Sequence, residues 1–106
     1  MAAFLVAGAI AASGGAMADS PIVESGFVES GGEQIYYESV GSGDALVLSH
    51  GLGGNHAIWY QQVAAFADRF RVITWDQRGF GRSTDAQKQS GPAVAVDDLK
   101  ALLDHM

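Results

Sequence analysis

Two glycine-rich turns hold most of the residues in this sequence that could act on a bound molecule: His50-Gly51-Leu52-Gly53-Gly54-Asn55 and Asp76-Gln77-Arg78-Gly79-Phe80-Gly81-Arg82-Ser83. Glycines this dense cannot continue a strand, and they let the main chain come close to a ligand. His50 carries acid–base chemistry, but a histidine fixed between a strand and a glycine turn more often holds that turn through its hydrogen bonds, and a structural role is expected of it. Asp76 and Arg78 match as carboxylate and guanidinium, so a charge pair that braces the second turn is expected rather than catalysis. His56 and His105 are expected at a helix start and at an exposed helix end. The three histidines show no metal-ligand spacing such as His-Glu-x-x-His, and no metal or other cofactor is expected.

The elements that position these turns are legible from their patterning. Ala45–Ser49 is a continuous apolar run, which suits a parallel strand covered on both faces. From Ala57 the apolar residues Trp59, Val63, Phe66 and Phe70 fall at offsets of four, seven and eleven, the spacing of one helix face, and predict a helix packed on a sheet. Arg71–Asp76 then supplies Val72, Ile73, Thr74 and Trp75, a β-branched and aromatic strand closed by the second turn. Strand, glycine turn, helix and strand together make a βαβ unit.

Upstream, Phe27–Ser30 and Gln34–Val40 flank Gly31-Gly32, a pair that accepts the positive φ angles of a tight hairpin turn. In the second of these strands Ile35, Tyr37 and Ser39 alternate with Tyr36, Glu38 and Val40, so neither face is cleanly apolar and a place near the sheet edge is predicted. Gly31-Gly32 apart, Gly41-Ser42-Gly43-Asp44 is a loop. Downstream, 84–91 is polar and reads as loop, Pro92 opens a helix capped by Gly91, and Val96, Leu99, Leu103 and Met106, with Leu102 alongside, form its apolar stripe.

Composition bounds the rest. A chain of 106 residues with 48% hydrophobic and 17% charged residues is an ordinary globular domain at the small end. Twelve acidic against six basic residues give a net charge of −6, the basic residues form no run, and nucleic acid is not an expected partner. The absence of cysteine excludes disulfides and thiolate nucleophiles. Ala2–Ala12 is apolar, the length of a signal-peptide core and too short for a membrane span, and Ala16-Met17-Ala18 has a small-x-small cleavage pattern. Residues 1–18 are therefore expected to be a signal peptide and 19–106 a periplasmic or secreted domain, although no Lys or Arg follows Met1; without export the protein would be cytoplasmic.

His50-Gly51 after one core strand, and Asp76-x-Arg78-Gly79-x-Gly81-x-Ser83 after the next, resemble the N-terminal part of the α/β-hydrolase family, over about Gly26 to the C-terminus. The resemblance implies an α/β fold, in which a hairpin β1–β2 precedes a strand–helix–strand–helix run in a mostly parallel, here incomplete, sheet. It implies that the main-chain N–H of Leu52 faces an oxyanion, with Gly53 the neighbouring donor, and that His50, Gly51, Asp76, Arg78, Gly79 and Gly81 are structural near the site. In that family the base follows the nucleophile in the chain, a further reason to read His50 as structural. None of the nine serines fits Gly-x-Ser-x-Gly; the nearest, Gly81-Arg82-Ser83, has Asp85 where the second glycine belongs. The reading is thus an N-terminal fragment of a hydrolase of a small ester, lactone or similar bond, inactive alone, with a small-molecule substrate in the complete protein and either Ser or Asp as nucleophile.

Two alternatives stand beside it. Gly51-x-Gly53, a helix, a strand and Asp76 at 25 positions after Gly51 also describe a dinucleotide-binding βαβ module, except that His56 occupies the third glycine position. A partial gene product without activity of its own is the other.

Overall fold

The computed structural model describes residues 23–106, so the expected leader lies outside the described residues. The elements are strands β1 (Val23–Ser30), β2 (Glu33–Val40) and β3 (Ala45–Ser49), a 3₁₀ turn His56–Trp59 leading into helix α1 (Tyr60–Phe66), strand β4 (Arg71–Trp75) and helix α2 (Pro92–His105). Gly31 and Gly32 both adopt positive φ, +56° and +86°, the pairing that lets a two-residue turn follow the right-handed twist of its strands. Ser30 consequently sits opposite Glu33.

The sheet order is β1-β2-β4-β3, with β1–β2 and β2–β4 antiparallel and β3–β4 parallel. The described sheet is therefore mixed, and its parallel character rests on the β3–α1–β4 unit. β2 is not at an edge; it is seated between β1 and β4, and the edges are β1 and β3. Its mixed pattern is that of a strand covered on both faces. Ile35 and Tyr37 pack with Ile73, Trp75 and Leu102 beneath α2, while Tyr36 on the other face lies under Phe27, His56 and Arg82. Its buried polar side chains have partners, as when Ser39 Oγ accepts from Arg71 Nε at 2.9 Å.

Helix α1 covers the opposite face, where Leu48, Ala67 and Val72 are buried with Trp59, Val63, Phe66 and Phe70 against them. The single helix expected from Ala57 through Phe70 is shorter: it starts as a 3₁₀ turn capped by Asn55, whose side chain accepts from the Ala57 N–H, and Phe70 follows its end. Gly41 at φ +91° makes a close approach here, since a Cβ would run into the Ala67 and Phe70 carbonyls.

Helix α2 begins at Pro92 after Gly91, as expected, but its buried stripe is rotated. Leu102 is fully buried, Ala95, Leu99 and Met106 pack beside it, and Val96 and Leu103 are 67% and 42% exposed. The cause is Asp98, completely buried on the same face, whose carboxylate turns inward to a guanidinium.

Candidate active-site turn

The first glycine turn leaves β3 at its C-terminal end, beside the C-terminal end of β4 to which β3 runs parallel, and two consecutive residues following β4 hold it. Gln77 donates its main-chain N–H to His50 Nε2 (2.9 Å) and its side-chain amide to the His50 carbonyl (2.6 Å). Since a main-chain N–H can only donate, Nε2 is the acceptor, the ring proton sits on Nδ1, and it donates to the Gly51 carbonyl at 2.7 Å. The Gly54 N–H donates to that same carbonyl at 3.0 Å, closing the turn. The edge of Phe80 packs on the His50 ring with centroids 5.5 Å apart.

The far end of the turn is held by Asp76, which is fully buried. Its Oδ1 accepts from the His56 main-chain N–H (2.6 Å) and lies 2.9 Å from His56 Nδ1, while Oδ2 accepts from the Arg82 N–H at 2.9 Å. One carboxylate thereby links the two glycine turns. Gly81, at φ +52°, is required for this: a Cβ there would overlap the Asp76 carboxylate. Gly79, at φ +83°, bends the second turn, whose N–H bonds to the Thr84 carbonyl.

Between the two anchors, Leu52 is 95% exposed and Gly53 takes φ +83°. Among the described residues neither the Leu52 nor the Gly53 N–H donates a hydrogen bond. A cavity of about 400 Å³ opens beside them, bordered by His50, Leu52, Gln77, Phe80 and the start of α2 at Pro92 and Ala95. A turn rigid at both ends and uncommitted in its middle is an arrangement able to offer main-chain donors to a negatively charged oxygen.

The charge pair expected between Asp76 and Arg78 does not form. Arg78 turns the other way and makes a bidentate pair with Asp98, Nε to Oδ2 at 3.0 Å and Nη2 to Oδ1 at 2.7 Å, and donates to the Ser30 carbonyl at 2.9 Å. Ser30 Oγ completes the cluster on Asp98 Oδ1 at 2.7 Å. The bond to Asp98 holds the guanidinium pKa above its ordinary value. The physical reason is competition: both Asp76 oxygens are engaged by the His56 and Arg82 main-chain N–H groups, while Asp98 offers Arg78 a bidentate carboxylate.

Ser83 and Ser49 are committed to structure. Ser83 Oγ donates to the Asp76 carbonyl (2.6 Å) and accepts from the Tyr36 N–H (2.8 Å), and Ser49 Oγ accepts from Trp75 Nε1 (2.8 Å).

Sequence reasoning missed four residues here. Gln77 and Asp98 had signals, the first by adjacency to Asp76 and the second as a carboxylate interrupting the apolar stripe Ala95–Leu99–Leu102. His56 and Glu38 had none, because the imidazole and the carboxylate meet only through the fold, with Nε2 to Oε2 at 3.2 Å. Glu38 and Asp76 occupy different ring nitrogens of His56, so the three do not converge as a metal cage, and among the described residues no group of metal ligands is assembled. The same contacts count against the dinucleotide alternative, since Asp76 is fully buried and both its oxygens accept hydrogen bonds within the protein. No helix among the described residues is long and apolar enough to cross a membrane.

The family model described as the alpha/beta hydrolase fold matches residues 44–106. The pimeloyl-[acyl-carrier protein] methyl ester esterase of Vibrio cholerae serotype O1 is 39% identical over 71 residues, which are 67% of this chain and 26% of the esterase. Among solved structures, an epoxide hydrolase, CorEH, superposes with a TM-score of 0.74 at 28% identity, over 79% of this chain and 30% of that one. An enzyme described as degrading N-acyl homoserine lactone superposes with a TM-score of 0.71 at 39% identity, over 74% of this chain and 30% of that one. The chain thus spans less than a third of the length of each of these proteins.

Proposed function

Because this chain belongs to the α/β-hydrolase fold family, we propose that it carries the N-terminal portion of a hydrolase acting on a small ester, lactone or similar bond, and that the 50–55 turn supplies part of its oxyanion hole. When a nucleophile adds to the carbonyl carbon, the carbonyl π electrons move onto oxygen, and N–H groups already aimed there stabilise the charge without reorganising. The observation that carries this reading is the turn itself, anchored through His50 and His56 while the N–H groups of Leu52 and Gly53 stay uncommitted. His50 serves as a brace, since both ring nitrogens are engaged in holding the turn. Gly-x-Ser-x-Gly does not occur in this sequence, and on this reading the nucleophile, Ser or Asp, comes from the rest of the hydrolase, so no turnover is expected from this chain alone.

The test compares two substitutions at one position in the complete hydrolase that carries this segment. Leu52→Ala keeps the N–H and is expected to retain most activity. Leu52→Pro removes it and is expected to cost on the order of 10²–10³ in kcat. Both variants must melt with the wild type for the comparison to stand. Equal activity in the two would take Leu52 out of the oxyanion hole.

A further inference from the structure

His56 has no part in the reading so far beyond its main-chain bond to Asp76, yet each nitrogen of its ring faces a carboxylate. Its side chain is only 15% exposed; Nδ1 faces Asp76 Oδ1 at 2.9 Å and Nε2 faces Glu38 Oε2 at 3.2 Å. Carboxylate oxygens only accept, so each contact is a hydrogen bond when that ring nitrogen carries a proton. Glu38 is itself set by the Tyr36 hydroxyl, which donates to the same Oε2 at 2.7 Å, and the Tyr36 ring lies against the imidazole with centroids 5.1 Å apart. Arg82 also packs on Tyr36, its guanidinium 5.0 Å from the ring centroid. The ring therefore bridges the middle of the sheet at β2 to the end of β4.

What this bridge holds is the first residue of the 3₁₀ turn that follows the glycine turn. Asn55 precedes it, with its side chain on the Ala57 N–H, and Gly54 is hydrogen-bonded back to Gly51. The opposite end of the turn has a histidine too, and its holder, Gln77, is the next residue after Asp76. A turn stapled by two imidazoles to consecutive residues cannot tilt about either end without breaking one of them. Without the ring, residue 56 keeps only its main-chain N–H on Asp76 Oδ1, a single point of attachment about which the Leu52 and Gly53 amides can swing.

We propose that His56 is a positioning residue for the 50–55 turn, its imidazole fixing the far end of the turn to Asp76 and Glu38 so that the Leu52 and Gly53 N–H groups keep one direction. The functional meaning of that direction rests on the oxyanion reading above, whereas the mechanical claim does not.

The experiment is residue-resolved amide exchange and heteronuclear ¹⁵N relaxation on this chain and four variants. His56→Asn keeps a donor at the position of Nδ1, His56→Gln keeps one at the position of Nε2, His56→Ala removes both, and Glu38→Gln keeps the acceptor for Tyr36 while removing the charge facing Nε2. In His56→Ala both amides keep their acceptors, but the loss of the ring's hold on Asp76 is expected to speed exchange at residue 56 and Gly54 about tenfold, the scale of one side-chain hydrogen bond, and to lower the Leu52 and Gly53 heteronuclear NOE, with Val72, Ile73 and Thr74 in β4 unchanged. His56→Asn is expected to restore most of the protection and His56→Gln less, because the Asp76 contact is the shorter. If His56→Ala does not fold, Glu38→Gln and His56→Asn decide: turn order that falls in Glu38→Gln and persists in His56→Asn supports the role. Unchanged turn order in His56→Ala overturns the proposal, as does an equal acceleration in β4, which would make the ring a general stabiliser. A turn that loosens here while Leu52→Pro costs nothing in the complete hydrolase would leave the positioning role standing and take Leu52 out of the oxyanion hole.

Discussion

Truncating Asp98 to alanine should severely destabilise this domain, although the residue sits on α2 and reaches the second glycine turn only through Arg78. Its carboxylate is completely buried and accepts from Arg78 Nε, Arg78 Nη2 and Ser30 Oγ, while Arg78 is itself only 5% exposed. Removing the carboxylate strands a buried guanidinium on the Ser30 carbonyl alone, and breaking a buried pair in this way costs about 3–5 kcal/mol. A domain of this size is stable by about 0.05–0.15 kcal/mol per residue, so the loss is comparable with the lower end of that range and a large fraction of the rest. With a urea slope of about 1 kcal/mol/M, the midpoint of Asp98→Ala should fall by about 3 M or more, leaving a large unfolded population in buffer. Asp98→Asn, which keeps an acceptor and the volume, should lose about half as much. The informative variant is the double substitution Arg78→Met with Asp98→Leu, which removes both charges together and should lie within about 1 kcal/mol of the wild type. Urea unfolding followed by far-UV circular dichroism reads all four chains. A loss below about 1 kcal/mol in Asp98→Ala, or a double variant less stable than Asp98→Ala, would refute the claim that an uncompensated buried charge sets the cost.

Two further outcomes follow from the second turn and its neighbours. Glu33 accepts from the Thr84 hydroxyl at 2.6 Å and from the Gln87 N–H at 3.2 Å, and these bonds, the hydroxyl foremost, hold its carboxyl below the ordinary glutamate value. A lowered pKa contributes stability above the ordinary value that is lost as pH falls through the lowered one; an acid titration of the urea midpoint should therefore fall more steeply for the wild type than for Glu33→Gln, the two converging at low pH, and parallel curves would show that Glu33 is not a source of the acid sensitivity. Gly81→Ala should cost about 2–4 kcal/mol, because the added methyl overlaps the Asp76 carboxylate at a backbone φ of +52°; a melting temperature equal to that of the wild type would show that Asp76 is not clamped as described.

The order of elements was legible in the sequence because it is set by local rules. Gly31-Gly32 admits few geometries other than a tight hairpin, the apolar run at Ala45–Ser49 and the β-branched run at Arg71–Trp75 bury best as strands, and Gly91-Pro92 marks a helix start by backbone chemistry alone. The two glycine turns that crowd around His50 and Asp76 were legible for the same reason. The tertiary structure alone decided who partners whom. Arg78 sits two residues from Asp76 yet pairs with Asp98, twenty residues on, and His56 reaches Glu38 on a strand it never neighbours in the chain. β2 likewise reads as an edge strand by its alternation, and becomes an inner one because its polar side chains find partners on β4 and in the turns. Patterning reports which side chains avoid water, whereas a buried charge or imidazole is satisfied by whichever group the packed sheet and helices bring within 3 Å, and that proximity exists only once the chain has folded.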